Sequence, residues 1–350
     1  MILVTGGAEF IGSHIVDALV RRGQRVRVLD ALLPGAHVAV PDYLNPGAEL
    51  IHGDLRDPDM VDSALRDVDA VCHQASMVGL GTGLHDMADY VQHNDLGTAV
   101  LLSRLAAAGL EGRLVLASSM VVYGEGHYVC PAHGGVSPRG RDVCDLAAGR
   151  FDPGCPRCGQ SLMSQAITES ARLDPRNVYA ATKVHQEHLC FSFERETGIP
   201  VTALRYHNVY GPRMPRDTPY AGVAAIFASS LAAGRSPRVF EDGGQLRDFV
   251  HVRDVARANV LALTRQAPLT GAFNVASGQP RSILQMAQAL ADAGGSGTPA
   301  PVVTGEFRLG DVRHVFASAQ RAQRELGFSA LEDFGAGMAE FASSPLRATR

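Results

Sequence analysis

The first part of the chain alternates short apolar runs with segments of helical periodicity. Six apolar runs predict β-strands, at residues 2–4, 25–30, 49–53, 70–75, 113–119 and 201–206. Helices are predicted where Ile11, Ile15 and Leu19 recur at helical spacing, and again at residues 98–108 and 179–197. Because parallel strands need helical crossovers, this alternation predicts a doubly wound parallel sheet of the Rossmann type over residues 1–208.

The second part, residues 209–350, is less regular and predicts a smaller mixed α/β domain that holds the substrate. Its predicted elements are helices at 221–233, 252–264 and 282–293 and short strands at 238–240 and 272–276. We expect residues 235–265 to return to the first domain.

One segment, the insert at residues 127–172, breaks the alternation. It carries Cys130, Cys144, Cys155 and Cys158, four of the six cysteines of the chain. A long structureless stretch inside a compact domain needs something to organise it, and a Cys-x2-Cys pair followed by glycine is typical of a zinc turn. Four thiolates would make a closed structural zinc site, with His127 and His133 as possible substitutes. The alternative is four free thiols in a flexible loop.

Composition excludes several classes of protein. The 350 residues carry 32 basic and 36 acidic side chains, so neither nucleic acid nor an anionic membrane is an expected partner. No apolar run is long enough to cross a bilayer and no signal peptide is apparent, so we expect a cytoplasmic protein. All the basic residues are arginine except one, Lys183.

The turn after the first strand, TGGAEFIG, is typical of a nucleotide-binding loop. Gly6 and Gly12 allow close approach of a pyrophosphate, with Phe10 and Ile11 beside it, while Glu9 stands where such loops have a third glycine. A carboxylate there is bulkier than glycine and has the wrong charge for a phosphate. A tight turn without a ligand is the alternative.

Residues that follow the next strands fit the rest of a dinucleotide. Asp30 ends the second strand, where a carboxylate can bind ribose hydroxyls and would repel a 2′-phosphate, so NAD is favoured over NADP. Asp54 and Leu55 follow the third strand and suit the adenine, and Ala75 after the fourth leaves room for the cofactor.

Tyr179 and Lys183 form a YxxxK pair on a predicted helix. Residues four apart share a helix face, so the ammonium can favour the phenolate and let the tyrosine act as a base. Ser119, at the end of the fifth strand, can hydrogen-bond the reacting oxygen. Each residue alone also fits an ordinary structural role.

Seven motifs in order resemble the extended short-chain dehydrogenase/reductases, the NAD-dependent sugar epimerase/dehydratase family. They are TGGAEFIG (5–12), Asp30, HQAS (73–76), SSMVVYG (118–124), YAATK (179–183), LRYHNVYGPR (204–213) and LRDFVHVRDV (246–255). The resemblance implies that Ser119, Tyr179 and Lys183 are the catalytic residues and that Tyr206 lies near the nicotinamide. It also implies that Asn208, Arg247 and Arg308 contact the nucleotide-sugar diphosphate.

The residues before VYG favour one reaction within that family. Dehydratases and decarboxylases of the family carry acidic residues there, whereas this chain has Met120 and Val121. Epimerisation at C4 through a transient 4-keto sugar is therefore expected. A one-way 4-ketoreductase and a UDP-hexose 4-epimerase are the enzymatic alternatives, and a regulatory or scaffolding protein that binds NAD and zinc is the non-enzymatic one.

The insert narrows the resemblance to dTDP-6-deoxyhexose 4-epimerases, among them those acting on dTDP-L-rhamnose. PDYLNP (41–46), YAGVAAIF (220–227) and FEDG (240–243) point the same way. The chain departs from the family pattern at Glu9, Ser76 and His207. The resemblance also implies a homodimer through helices near 88–108 and 179–197.

Overall fold

The computed structural model describes residues 1–33, 36–37, 39–78, 84–216 and 222–347. Its strands are β1 (Ile2–Thr5), β2 (Val26–Asp30), β3 (Ala48–His52), β4 (Ala70–His73), β5 (Arg113–Ser119), β6 (His127–Cys130), β7 (Gly134–Val136), β8 (Met163–Gln165), β9 (Val201–Tyr206), β10 (Asn208–Tyr210), β11 (Arg238–Val239), β12 (Leu246–His251), β13 (Gly271–Val275), β14 (Pro280–Ser282), β15 (Val302–Val303) and β16 (His314–Val315).

The helices alternate with the strands of the first part as the hydrophobic pattern predicts. They are α1 (Phe10–Val20), α2 (Pro58–Ala64), α3 (Met87–Tyr90), α4 (Gly97–Ala108), α5 (Val143–Ala147), α6 (Val178–Thr197), α7 (Val223–Ala232), α8 (Val252–Thr264), α9 (Ile283–Ala293) and α10 (Phe334–Ser343). A π-helical turn, Val91–Leu96, joins α3 to α4, and a 3₁₀ turn, Met120–Tyr123, follows β5.

Seven parallel strands form the main sheet, in the order β13-β9-β5-β4-β1-β2-β3. Helices α1 and α8 pack on each other over one face, and α2, α4 and α6 cover the other. The predicted doubly wound parallel sheet is confirmed. Since both faces are covered, the central strands β1, β2 and β4 are buried along their whole length.

Two parts of the chain after residue 208 join this sheet. Strand β13 pairs with β9, and α8, which lies in the segment 235–265, packs against α1 and the sheet. Strands β10, β14 and β16 pair with β12 in a smaller mixed sheet, next to a separate apolar cluster with α7, α9 and α10, and β11 pairs with β15. The domain boundaries at 208 and 209 stay a prediction.

Most predicted elements have the expected type, and the differences lie in short segments. The strand predicted at 70–75 ends at His73, and residue 221, the predicted start of α7, lies outside the described residues, as does residue 220 of the YAGVAAIF motif. Strand β12, inside the motif LRDFVHVRDV, was not predicted. Charged residues interrupt its apolar pattern, and its pairing is with strands distant in sequence.

The insert contains a small sheet of its own. Strand β6 pairs antiparallel with β7 and β8 to make a small three-stranded sheet. A further apolar cluster, which includes Ile167 of the insert, joins the turn after β5 to the segment around β16.

Candidate active site

A cavity of about 400 Å³ opens at the carboxyl ends of the parallel strands. In an open α/β sheet this edge is where ligands bind. All eleven residues that the sequence analysis assigns to the cofactor lie on its wall: Gly6, Phe10, Ile11, Gly12, Asp30, Asp54, Leu55, Ala75, Tyr179, Lys183 and Tyr206. The structure therefore brings together residues that span two hundred positions of the sequence, while their individual roles stay predictions.

The glycines of the first loop lie where backbone approaches closely. A Cβ on Gly6 would lie 2.7 Å from the Ala75 nitrogen, and Gly6 has a φ of +67°. A Cβ on Gly12 would lie 2.1 Å from the Gly6 carbonyl oxygen. Neither position admits a side chain, so the loop keeps its backbone close to the cavity at the N-terminus of α1, where backbone N–H groups favour an anion.

Glu9 precedes α1 but does not cap it. Its carboxylate contacts His37 Nε2 at 2.9 Å and accepts a hydrogen bond of 2.6 Å from Arg347 Nη2. Burial raises the pKa of Glu9, but His37 and Arg347 outweigh it and leave the pKa below its usual value. The carboxylate that replaces the usual glycine therefore contacts two basic side chains, His37 and Arg347. Arg347 also lies on the cavity wall.

The two acidic residues predicted to bind the adenosine have different surroundings. Asp30 is buried and accepts hydrogen bonds from the Ala8 and Leu32 backbone N–H groups. Burial, and then Glu9, raise the pKa of Asp30. Asp54 is bound by the Arg56 guanidinium at 2.6 Å, which lowers the pKa of Asp54.

Helix α6 presents both residues of the YxxxK pair to the cavity. The helix begins cleanly because the Asn177 side chain accepts a hydrogen bond from the Ala180 N–H. Lys183 Nζ lies 5.9 Å from the centroid of the Tyr179 ring and donates to the Ala117 carbonyl oxygen at 3.0 Å. That carbonyl belongs to β5, so the lysine ties the helix to the strand that carries Ser119.

The protonation of this pair differs from the expectation. Burial raises the pKa of Tyr179, and only the hydrogen bond with Ser119 opposes the rise. Burial also lowers the pKa of Lys183 to about 7. That the ammonium favours the phenolate stays a prediction, and desolvation of both groups acts against it.

Ser119 caps the 3₁₀ turn after β5. Its hydroxyl accepts a hydrogen bond of 3.3 Å from the Val121 N–H and interacts with Tyr179. Tyr206, in the neighbouring strand β9, donates to Asn259 Oδ1 at 2.9 Å, and Gln74 Nε2 donates to Tyr206 Oη at 3.1 Å. Two adjacent strands therefore place Ser119 and Tyr206 side by side in register, at the end of the sheet nearest α6.

The π-helical turn supplies a positioning group that sequence reasoning missed. Asn94, fully buried, donates to Thr182 Oγ1 in α6 at 2.9 Å and accepts from the Met77 N–H at 2.7 Å. It thereby joins the segment after β4 to the turn of helix between Tyr179 and Lys183. Single π turns are frequent at functional sites, but no pattern in the sequence marks one.

A buried ion pair behind the site was also missed. Arg205 Nη2 donates to Glu187 Oε2 at 2.7 Å, and Arg205 Nη1 donates to Tyr123 Oη at 2.9 Å. Glu187 also accepts from Ser118 Oγ. The network links α6, β5 and β9, and its signal in the sequence is that Tyr123 and Arg205 both lie inside the quoted motifs, with Arg205 directly before Tyr206.

The residues assigned to the substrate do not line the described part of this cavity. Arg247 is held by backbone, donating to the Val312 and Arg313 carbonyl oxygens at 2.7 and 2.9 Å, and burial lowers its pKa. Arg308 is exposed and stacks on the Phe240 ring at 4.8 Å. Asn208 starts β10, and its buried Oδ1 has no hydrogen-bond partner among the described residues.

The insert brings together three of its four cysteines and one histidine. Ligand atoms of Cys130, His133, Cys155 and Cys158 all lie within 4.8 Å of one another. Cys144 is exposed on α5 and is not in this group, so the predicted four-cysteine set does not converge.

Within the described residues, no helix is both long and apolar enough to cross a bilayer.

Comparisons with known proteins agree with this geometry. The model of the NAD dependent epimerase/dehydratase family matches residues 2–139 and 157–276. The chain belongs to this family of NAD-dependent enzymes.

The chain is similar to both dTDP- and UDP-sugar enzymes. It is 35% identical to a dTDP-L-rhamnose 4-epimerase of Burkholderia thailandensis over 93% of this chain and 90% of that one. It is 31% identical to a putative UDP-glucose 4-epimerase of Methanocaldococcus jannaschii over 82% and 80%. Its structure matches that of Thermus thermophilus UDP-glucose 4-epimerase in complex with NAD, with a TM-score of 0.77 and 30% identity over 97% of each chain.

Proposed function

We propose that this chain is an NAD-dependent 4-epimerase of nucleotide sugars. One observation carries the proposal: Tyr179 and Lys183 lie on the wall of the cavity that also holds every residue assigned to the dinucleotide. Ser119 is hydrogen-bonded to Tyr179. The family membership and the epimerases among the relatives support the same reaction.

The cavity suits a dinucleotide by two features of its own. The glycine loop leaves no room for a side chain at Gly6 or Gly12, which keeps backbone N–H groups within reach of a pyrophosphate. Asp30, at the end of β2, supplies a carboxylate for ribose hydroxyls and favours NAD over a 2′-phosphorylated cofactor.

NAD bound in this cavity would supply the hydride chemistry at C4 of the sugar. The phenolate oxygen of Tyr179 takes the proton of the C4 hydroxyl and, as the phenol, gives it back to the oxygen of the opposite epimer. The Ser119 hydroxyl holds the same sugar oxygen and lowers the pKa of Tyr179. Lys183, when protonated, stabilises the phenolate electrostatically.

The turn after β5 supports epimerisation over elimination. Met120 and Val121 follow Ser119 and offer no acid or base to a sugar held at Tyr179. Neither of these two residues can move a proton for loss of water from a 4-keto sugar. We therefore favour return of the hydride to the other face, which gives the C4 epimer, over a one-way 4-ketoreductase, the enzymatic alternative.

For the substrate we propose a dTDP-6-deoxyhexose such as dTDP-L-rhamnose. The 35% identity to a dTDP-L-rhamnose 4-epimerase favours it over a UDP-hexose, the second candidate, which the Methanocaldococcus and Thermus relatives keep open. Asn208, Arg247 and Arg308 are proposed to contact the nucleotide-sugar diphosphate. Arg247 Nη1 and Nη2 already donate to carbonyl oxygens, so its contact with the diphosphate would use the N–H groups that these bonds leave, while the same bonds hold the backbone around Val312.

We also propose a zinc ion in the insert and a homodimer. Zinc is proposed as a structural ion of the insert with no step in the reaction, because the insert contributes no described residue to the cavity wall. A homodimer is proposed through α3–α4 and α6, which pack together on one face of the sheet. Met87, Val91 and Leu96 expose large apolar side chains there.

Turnover of a panel of dTDP- and UDP-sugars tests the proposal. Proton NMR at C4 should show a mixture of two epimers for at least one sugar, without added NAD if the cofactor copurifies. Release of a 4-keto or dehydrated product alone would favour a reductase or a dehydratase. Absence of any turnover together with bound NAD would favour the regulatory alternative.

A further inference from the structure

Two turns of the insert share one sequence pattern. Cys130-Pro-Ala-His133-Gly134 and Cys155-Pro-Arg-Cys158-Gly159 both read cysteine, proline, any residue, a metal-binding side chain and glycine. In each turn the final glycine has a positive φ, +68° at Gly134 and +75° at Gly159. The ligand atoms of the two turns converge, all lying within 4.8 Å of one another, as the ligands of one zinc ion must.

The distances between the ligand atoms fit a tetrahedral ion. Cys130 Sγ lies 3.8 Å from Cys158 Sγ and 3.5 Å from His133 Nδ1, and Cys155 Sγ lies 3.6 Å from the same nitrogen. A zinc ion with bonds of about 2.3 Å to sulfur and about 2.0 Å to nitrogen sets these ligand–ligand distances at about 3.8 and 3.5 Å. A disulfide would need the two sulfurs at about 2.05 Å.

The remaining cysteine of the insert does not belong to this set. Cys144 is exposed on α5, whose start is fixed by Asp142 accepting from the Cys144 N–H at 2.7 Å. The first turn fills the fourth place with His133, which lies three residues after Cys130 just as Cys158 lies three residues after Cys155.

We propose that the insert binds one zinc ion through Cys130, His133, Cys155 and Cys158, and that this ion holds the insert against the substrate side of the molecule. The proposal gives the zinc its ligands and a task, and it does not depend on the reaction proposed above.

Two side chains of the insert, Arg141 and Asp152, form ion pairs with residues outside it. Arg141 Nη1 contacts Glu241 Oε1 at 2.7 Å, and both side chains are almost fully buried. Asp152 contacts Arg313 Nε at 2.8 Å and His314 Nε2 at 3.1 Å. Asp152 lies three residues before Cys155, so the metal-binding turn fixes the backbone from which it reaches Arg313.

These contacts lie next to Arg247, which is proposed to act on the substrate side. Arg313 also binds Glu241 and Asp242, and its carbonyl oxygen accepts from Arg247. Strand β16, which carries His314, pairs with β12, which carries Arg247. If the insert moved away, the buried Glu241 and Arg313 would each lose a partner, which is costly for buried charges.

Metal analysis of freshly purified full-length protein tests the ligand set. We expect one zinc per chain in the wild type and in C144S, the matched control, and loss of zinc in H133A and C158S. Loss in C144S with retention in H133A would replace this set by the four cysteines. A wild type without zinc would overturn the site.

Cobalt(II) keeps the ligand test decisive if H133A or C158S fails to fold. Wild type and C144S loaded with cobalt should have the same ligand-field absorption bands. A shift of those bands in C144S would show that Cys144 is a ligand and would contradict the proposal.

Two measurements test the task of the ion. After zinc is removed by a chelator, trypsin should cleave at Arg150 and Arg157 at least tenfold faster, and bound NAD should stay unchanged. For a sugar that the enzyme turns over, KM should rise about tenfold with little change in kcat. An unchanged cleavage rate would overturn the bracing role, whatever the reaction proves to be.

Discussion

Glu9 and Arg347 are hydrogen-bonded at 2.6 Å across the mouth of the dinucleotide cavity. Glu9 lies at the start of α1, and Arg347 comes from the C-terminal segment, whose backbone pairs with Met214 and Arg216. Arg347 also donates to Tyr43 Oη at 3.2 Å. The acidic residue in the glycine loop is therefore neutralised by a residue more than three hundred positions away.

Removal of Arg347 should weaken NAD binding through Glu9. In R347A the carboxylate is left beside the pyrophosphate site without its cation, so we expect the Kd for NAD to rise about tenfold. The double variant E9G/R347A should recover most of that loss, and E9G alone should bind NAD like the wild type. Calorimetric titration of NAD into each variant measures this. A double variant as weak as R347A would mean that Arg347 acts on the cofactor directly.

Lys183→Arg should be strongly impaired although the charge is kept. Lys183 is buried on the cavity wall and donates to the Ala117 carbonyl oxygen beside the Tyr179 ring, and the larger planar guanidinium would not keep these contacts. We expect kcat to fall by roughly 10²-fold or more, since general base catalysis contributes about that much. Turnover is measured beside the circular dichroism of both proteins. A variant with near-normal turnover would make the single lysine an accident of composition.

The buried lysine should also cost stability in a pH-dependent way. Its pKa is about 7 in the folded protein, against about 10.4 when unfolded. The unfolded chain thus binds more protons between these values, so this group makes the wild type more stable as pH rises from about 7 to about 10. Cofactor-free K183M should be more stable than the wild type at pH 6–7, and the difference should shrink towards pH 10. Urea unfolding at several pH values measures it, and a difference independent of pH would contradict the burial of a neutral lysine.

The proposed dimer should depend on the apolar side chains exposed on the α3–α4 segment. Leu96 is 49% exposed there, whereas Leu331, 72% exposed, lies outside the proposed interface. We expect L96D to shift the protein from dimer to monomer and L331D to leave it a dimer, because a buried unpaired carboxylate opposes association. Sedimentation velocity distinguishes the two. A wild type that sediments as a monomer would remove the proposal.

The sequence predicts the sheet, and which residues line the cavity at its edge, because both depend on local patterns. Strands β5 and β9 have the predicted limits, and the residues that follow each parallel strand must meet at one edge. Local sequence patterns do not predict contacts between distant segments. Arg347 reaching Glu9 and Asn94 joining Met77 to Thr182 depend on how loops return to the site.

The cysteine-containing insert shows the same division. The spacing of its cysteines indicated a metal, and the repeated Cys-Pro-X-ligand-Gly pattern held the signal for His133. Cys144 had the residue type but not the turn, and only the fold separates it from the others. In the same way, Arg247 had the right chemistry for a phosphate, yet backbone carbonyl oxygens bind its guanidinium.

Tyr179→Phe tests the central claim most directly. The substitution removes one oxygen from a buried ring, so the fold and the bound NAD should be unchanged. With a dTDP-6-deoxyhexose that the wild type converts to its C4 epimer, followed by proton NMR, the variant should be slower by roughly 10²–10⁴-fold. Epimerisation by Y179F at the wild-type rate would contradict the account.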